Sequence, residues 1–254
     1  MALINHVADY TLRELDLQNE IKGARELAGI KDSLKDDFSM DLLRFPIYYP
    51  ELSNSDILVS EFIQGMSLEE GIEEKALTWD FLLQFFRIHG AYLFGIGTFH
   101  GDLHPGNCIV DDDGKFVFID NGAICHAPKK VAHALFHFFD HLSRQEMQEA
   151  FDALLTMTEM KPNPKRLAKY YSTMTEIYTD FEKKPVGEQS LTRIMMGTVK
   201  AAVEHAGATF GEEAFPIIRA LMYLDGLVIR THPDALLIQS MGPFLEEFQT
   251  KLNI

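Results

Sequence analysis

The spacing of hydrophobic residues predicts a mixed arrangement of helix and extended chain at the start of the sequence. Between residues 9 and 34, apolar side chains recur every three or four positions with charged residues between them, which is typical of an amphipathic helix. Residues 45–50 contain two prolines, which favour an extended segment. The apolar, partly β-branched run Asp56–Ile63 predicts a buried strand. We therefore expect one helix followed by extended chain.

A second helix and a hairpin are predicted next. Thr78 is a residue type that caps helices, and the apolar pattern after it predicts a helix reaching about Gly95. Two short apolar runs, 108–110 and 115–119, lie on either side of the Asp-Asp-Asp-Gly sequence at 111–114. Asp-Gly between apolar runs is a strong hairpin signal. We expect the three aspartates of this turn to lie in solvent.

The remainder of the chain is predicted to be helical. From Pro128 onward, the helical pattern is interrupted only at short segments rich in proline or glycine. The expected fold class is therefore α+β and resembles a protein kinase. We expect a small N-terminal lobe over residues 1–63 and a larger, mostly helical C-terminal lobe over residues 64–254.

Charge and composition restrict the class of partner. The chain has 254 residues and a formal net charge of −15, which disfavours nucleic acid as a partner. No run of residues has the roughly 18 uncharged apolar positions of a transmembrane helix. Only two cysteines are present, which fits a reducing compartment. We expect a cytoplasmic protein, with peripheral association with a membrane as an alternative.

The densest chemical signal is a loop followed by the predicted hairpin. The loop reads His-Gly-Asp-Leu-His-Pro-Gly-Asn and ends at Asn107, and the hairpin ends in Ile-Asp-Asn-Gly with the aspartate at 120. Phosphoryl transfer from a nucleotide requires positioning and charge neutralisation from the protein. Asp102 is suited to accept a proton from a hydroxyl or to orient water. Asn107 and Asp120 carry the oxygen ligands that Mg²⁺ prefers.

These residues, together with others along the chain, resemble the UbiB/AarF family of atypical kinase-like proteins, which are associated with quinone and lipid metabolism. The segment 14–20 resembles the Glu-x-Asp motif of the family and the glutamate that follows it. Residues 58–65 resemble the hinge between the kinase lobes. Residues 215–233 resemble the C-terminal helices. The resemblance extends over nearly the whole chain and implies an ATP-dependent phosphotransferase or ATPase that binds ATP and Mg²⁺ in an interlobe cleft.

The resemblance also implies roles for individual residues. Asp102 matches the catalytic-loop aspartate, Asn107 the loop asparagine with a catalytic and metal-binding role, and Asp120 the metal-binding aspartate. By position in the hinge, the Glu61 carbonyl and the Ile63 amide are expected to face the adenine base.

Three acidic residues of the first helix are assigned to the nucleotide site in the same way. Glu20 matches the glutamate that pairs with a phosphate-binding lysine, and Glu14 and Asp16 match the acidic pair that is particular to the family. The sequence departs from the pattern at Asn121, where an aromatic residue is usual. The strands that carry the phosphate loop and the lysine are also not found before Glu20, so we expect impaired catalysis, a truncated chain, or a partner protein that completes the lobe.

Other functions fit parts of the same pattern. Aminoglycoside and choline kinases share the loop motif, so a small-molecule phosphotransferase is one alternative. A non-catalytic pseudokinase scaffold is another, because the lysine is missing. The phenylalanines and the 11 methionines predict a helical core, with a groove for an isoprenoid or other lipid tail as the less favoured interpretation.

Overall fold

The computed structural model describes residues 15–158 and 164–254. They pack as two compact units. The first unit contains the described residues up to Leu77 together with Thr98–Cys125, and the second contains Thr78–Gly97 together with the described residues from His126 to Ile254. The domain boundary expected after residue 63 stays a prediction. The predicted hairpin packs in the same unit as the N-terminal residues.

The first unit begins with helix α1, Gln18–Leu34. Its buried face includes Ile21, Ala24 and Leu27, which are spaced three residues apart. Burial of such a stripe stabilises the helix against its neighbours. The predicted helix is therefore confirmed from Gln18 onward, while residues 9–14 lie outside the described part of the chain.

Two small sheets accompany this helix. The strands are β1 (Leu43–Arg44), β2 (Gly65–Ser67), β3 (Thr98–His100), β4 (Cys108–Asp111), β5 (Phe116–Phe118) and β6 (Ile124–His126). Four of them form one sheet in the order β1-β5-β4-β2, and β3 pairs with β6 in the other. The pair β1–β5 is parallel, while β4 is antiparallel to both β2 and β5. Helix α2, Leu68–Glu73, begins with a capping box formed by Ser67 and Glu70.

The hairpin between β4 and β5 forms as predicted, although one of its aspartates is not in solvent. Val110 pairs with Phe116, and Gly114 has a φ of +75°, which is accessible to glycine without strain. Asp111 is only 7% exposed. One of its carboxylate oxygens accepts hydrogen bonds from the amides of Asp113 at 3.1 Å and Lys115 at 2.9 Å. Asp111 therefore organises the turn from inside, whereas Asp113 is exposed.

The strand predicted over Asp56–Ile63 is wrong. Its pairing amounts to one isolated antiparallel bridge between Ser60 and Tyr48. The side chain of Asn54 accepts hydrogen bonds from the amides of Asp56 and Ile57, which folds the start of the segment into a turn. Two of its apolar side chains, Ile57 and Phe62, are exposed, Phe62 by 88%, whereas Ile63 is buried. The apolar run indicated burial along its whole length, which would have needed neighbouring strands.

The second unit is built from helices. They are α3 (Trp79–Gly90), α4 (Lys129–Ser143), α5 (Met147–Thr156), α6 (Leu167–Ile177), α7 (Leu191–Ala201), α8 (Ala214–Thr231) and α9 (Leu237–Leu252). The Thr78 hydroxyl caps α3 by accepting a hydrogen bond from the Phe81 amide at 3.3 Å, as predicted. A π-helical turn, Ala91–Ile96, prolongs α3. Among the described residues, no helix is long and apolar enough to cross a membrane.

Candidate active site

His100 connects the two aspartates of the predicted site. This side chain lies at the end of β3 and is 2% exposed. Its Nδ1 accepts a hydrogen bond from the Asp102 amide at 3.1 Å, and its Nε2 forms a hydrogen bond with the carbonyl oxygen of Asp120. With Nδ1 as the acceptor, Nε2 carries the proton and donates it. One imidazole therefore sets the distance between the loop and the end of the hairpin, a role that the sequence analysis did not assign to it.

Asn107 supplies the second connection. Its amide nitrogen donates to the Asp102 carbonyl oxygen at 3.1 Å and lies 3.5 Å from Oδ2 of the Asp102 carboxylate. The carbonyl oxygen of Asn107 accepts a hydrogen bond from the Ile119 amide at 3.1 Å. Because its NH₂ group faces Asp102, the side-chain oxygen of Asn107 remains available to a ligand.

Glu20 reaches the same place from helix α1. Its side chain is 9% exposed, and one carboxylate oxygen accepts a hydrogen bond from the Asn121 amide at 2.5 Å. Burial and the adjacent Asp120 carboxylate raise the pKa of Glu20 to about 7. No lysine or arginine of the described residues contributes to its environment. Glu20 therefore faces a carboxylate and backbone amides, in place of the lysine that the family resemblance implies.

Two glycines permit this close approach of helix and turn. A Cβ atom added to Gly23 would lie 1.9 Å from the backbone oxygen of Asn121, and one added to Gly122 would lie 2.3 Å from Glu20 Oε1. Both distances are far below van der Waals contact. Glycine at these positions lets the Glu20 carboxylate pack directly against the turn after β5.

Asn121 is a structural polar residue in the core of the site. It is fully buried, and its amide nitrogen donates to the Phe118 carbonyl oxygen at 2.8 Å and to the Tyr48 hydroxyl at 3.1 Å. Burial raises the pKa of Tyr48 to about 12, and the charges of Glu20 and Asp120 act in the same direction. Tyr48 therefore stays a neutral phenol beside the carboxylates. In the sequence, only its position in a proline-flanked apolar segment was visible.

The acidic pair assigned to Glu14 and Asp16 stays a prediction. Asp16 Oδ1 accepts a hydrogen bond from the Gln18 amide at 3.1 Å, so it serves the first turn of α1. Glu14 lies outside the described residues.

The predicted hinge contains an ion pair that sequence reasoning missed. Arg44 lies 3.1 Å from the Glu61 carboxylate and 2.6 Å from the Asp111 carboxylate. The Ile47 amide and Arg44 together hold the pKa of Glu61 below its usual range. Ile63, in the same segment, is buried at 8% exposure. The roles of the Glu61 carbonyl and the Ile63 amide toward adenine stay predictions.

The oxygen atoms of the site suit a hard cation. Oδ1 of Asp102 is buried and has no hydrogen-bond partner among the described residues, while the Asp120 side chain is exposed. Mg²⁺ commonly takes one or two protein oxygens and completes its shell with water and phosphate. Within residues 15–158 and 164–254, no group of three or more His, Cys, Asp or Glu side chains forms a metal cage. Asp102, Asn107 and Asp120 carry oxygen atoms of the kind that Mg²⁺ binds.

Known proteins share sequence and fold with this chain. The sequence matches the ABC1 atypical kinase-like domain over residues 1–154, more than half of the chain. A chloroplast protein of Arabidopsis thaliana named Activity of bc1 complex kinase 3 is 22% identical, over 96% of this chain and 34% of its own length. A UbiB protein of Marinobacter nauticus, named a probable protein kinase, is 26% identical over 96% of this chain and 45% of its own length.

The family assignment rests on sequence, and the fold agrees with it. The chain spans less than half the length of these two relatives. A Mycobacterium tuberculosis protein solved in complex with erythromycin aligns with 96% of this chain and 61% of its own, with a TM-score of 0.63 and 16% identity. At that identity the likeness concerns the fold alone. By its domain match, its relatives and its kinase-like α+β fold, the chain belongs to the UbiB/AarF family of ABC1 atypical kinase-like proteins.

Proposed function

We propose that the first unit binds ATP with Mg²⁺ and catalyses phosphoryl transfer or ATP hydrolysis. The observation that carries the proposal is that His100 joins Asp102 to Asp120 by hydrogen bonds, while Asn107 donates a hydrogen bond to Asp102. It supports one shared position for a metal-bound triphosphate. The side chains of Asp102, Asn107 and Asp120 each keep an oxygen atom that accepts no hydrogen bond from the residues that the structure describes.

The proposed roles follow from the chemistry of each group. Asn107 and Asp120 hold Mg²⁺, which neutralises charge on the transferring phosphate. Asp102 accepts the proton of the attacking hydroxyl or orients a water molecule. The Glu61 carbonyl and the Ile63 amide contact adenine. The nearby Glu20 carboxylate favours the bound cation further, because the cation reduces the repulsion between Glu20 and Asp120.

We propose a small-molecule or lipid hydroxyl as the acceptor, with quinone or lipid metabolism as the context implied by the family. Only five residues, 123–127, separate Gly122 from Pro128, the N-cap residue of helix α4. A long activation segment that would dock a protein substrate is not found between them. Hydrolysis of ATP itself requires no docking segment either.

Nucleotide binding is tested by thermal unfolding with ATP, MgCl₂ and both together. We expect stabilisation only with both, of about 2.7 kcal/mol at a ligand concentration of 100 times Kd. Asp120→Asn should abolish it. Asp112→Asn is the matched control, because Asp112 is an exposed aspartate in the same hairpin. The proposal fails if wild-type protein does not respond, or if Asp120→Asn responds as wild type does.

Turnover is tested separately with Asp102→Asn. We expect this variant to bind Mg-ATP and to release ADP at least about 100-fold more slowly, the usual contribution of a positioned general base. Binding without measurable turnover in wild-type protein would support the scaffold function instead. That alternative is favoured by one observation, the absence of a cation beside Glu20 among the described residues.

A further inference from the structure

The helical unit contains an apolar cavity that the proposed nucleotide chemistry does not use. Its volume is about 160 Å³, and its wall is formed by side chains from most helices of the unit, among them Leu93, Phe94, Leu135, Ile217 and Leu221. An engineered cavity of ~150 Å³ with a similar lining binds benzene. The space is therefore suited to one ring or a short branched chain.

One carboxylate interrupts this apolar wall. Asp225 lies on α8, lines the cavity and is 4% exposed. Its Oδ2 accepts hydrogen bonds from the amide and the hydroxyl of Thr192, both at 3.1 Å. Its Oδ1 is buried and has no hydrogen-bond partner among the residues that the structure describes. A buried carboxylate oxygen without a donor is costly, so a donor is expected to approach it.

One further polar pair of the wall is already satisfied. The Thr198 hydroxyl forms a hydrogen bond with the Tyr178 hydroxyl at 3.0 Å, and both residues line the cavity. The wall also contains the imidazole of His89, and Asp225 is the one carboxylate among the described residues that line the cavity. Its chemistry therefore selects a ligand that donates a hydrogen bond. The carboxylate accepts hydrogen bonds, and the surrounding surface rejects polar groups elsewhere on the molecule.

We propose that this cavity binds an apolar, ring-sized alcohol or phenol whose hydroxyl donates a hydrogen bond to Asp225 Oδ1. The apolar wall supplies most of the affinity, and Asp225 selects molecules that carry a donor over hydrocarbons of the same shape. The site is independent of the nucleotide chemistry of the first unit.

The test uses phenol and toluene, which differ by a hydroxyl in place of a methyl group. Calorimetric titration of the full chain should give phenol a dissociation constant about tenfold lower than that of toluene, as expected for a hydrogen bond to a charged acceptor. In Asp225→Asn the amide oxygen is needed by the Thr192 amide, so the NH₂ group replaces Oδ1 and the acceptor is lost. The preference for phenol should fall below about threefold.

Two further variants separate this role from general effects on folding. Thr192→Val changes only the groups that contact the other carboxylate oxygen, so the preference for phenol should remain. Met195→Trp fills the cavity from α7 and should weaken binding of both compounds. The proposal is overturned if neither compound binds to wild-type protein, if toluene binds as tightly as phenol, or if folded Asp225→Asn keeps the full preference.

Discussion

The two units place a glutamate in opposite electrostatic surroundings. In the first unit, Glu20 lies against Asp120, and burial with this neighbour raises its pKa to about 7. In the second unit, Glu247 receives two hydrogen bonds from the Arg87 guanidinium, at 2.7 and 2.5 Å, which lower its pKa to about 2. The surroundings of Glu20 make folding with a charged carboxylate less favourable, whereas those of Glu247 make it more favourable. A carboxylate without a cationic partner is typical of a site that binds a cation, whereas a carboxylate paired with an arginine stabilises the packing of the fold.

Replacing Arg87, the cation that pairs with Glu247, should have the largest effect on the free energy of unfolding. Arg87 is 8% exposed, so Arg87→Met leaves Glu247 partly buried without its main partner. We expect a loss of about 3 kcal/mol in the free energy of unfolding, measured by urea denaturation at pH 7. Lys251→Met is the control, because Lys251 also contacts Glu247, at 2.6 Å, but lies at the surface. It should cost less than about 1 kcal/mol.

The same pair predicts a loss of stability in acid. Glu247 has a lower pKa in the folded chain than its ordinary value of 4.5, so its contribution is complete above that pH and disappears as the pH falls toward about 2. Urea titrations from pH 6 to pH 3 should show a smaller decline in Glu247→Gln than in wild-type protein. An equal decline in both would contradict the assignment.

Close packing of helix α1 against the turn after β5 is tested with two glycines of the same helix. Gly23→Ala places a Cβ 1.9 Å from the Asn121 carbonyl oxygen and should cost about 2 kcal/mol, because backbone must move. Gly29→Ala is the matched control, since nothing lies within 4 Å of its added Cβ. It should stabilise the protein by about 0.5–1 kcal/mol through helix propensity. Equal effects of the two changes would show that Glu20 is not held against the turn.

The smallest predicted effect concerns Glu20 in metal-free buffer with EDTA. Its folded pKa of about 7 lies above the ordinary value of 4.5, so its contribution to stability is present below pH 4.5 and is lost as the pH rises through 7. Glu20→Gln should therefore be more stable than wild type at pH 8, by about 1 kcal/mol after allowance for solvent screening, and equally stable at pH 4.5. A variant less stable at pH 8 would contradict this prediction.

Local signals in the sequence were sufficient for several elements. The cap at Thr78, the glycine at 114 and the helical periodicity of α1 each act within a few residues, and each prediction was confirmed. The strand over Asp56–Ile63 failed because a strand needs a partner that lies elsewhere in the chain. Composition indicated burial without showing which neighbour would provide it.

The chain of amino acids was enough to identify the family and to name Asp102, Asn107 and Asp120 as candidates, because their spacing is short and their side chains have specific chemistry. The fold decided three contacts: the link between Asp102 and Asp120 through His100, the meeting of Glu20 with Asp120, and the ion pair of Arg44 with Asp111. These contacts join distant segments, and their energies depend on burial and distance. Neither quantity exists until the helices and strands have packed.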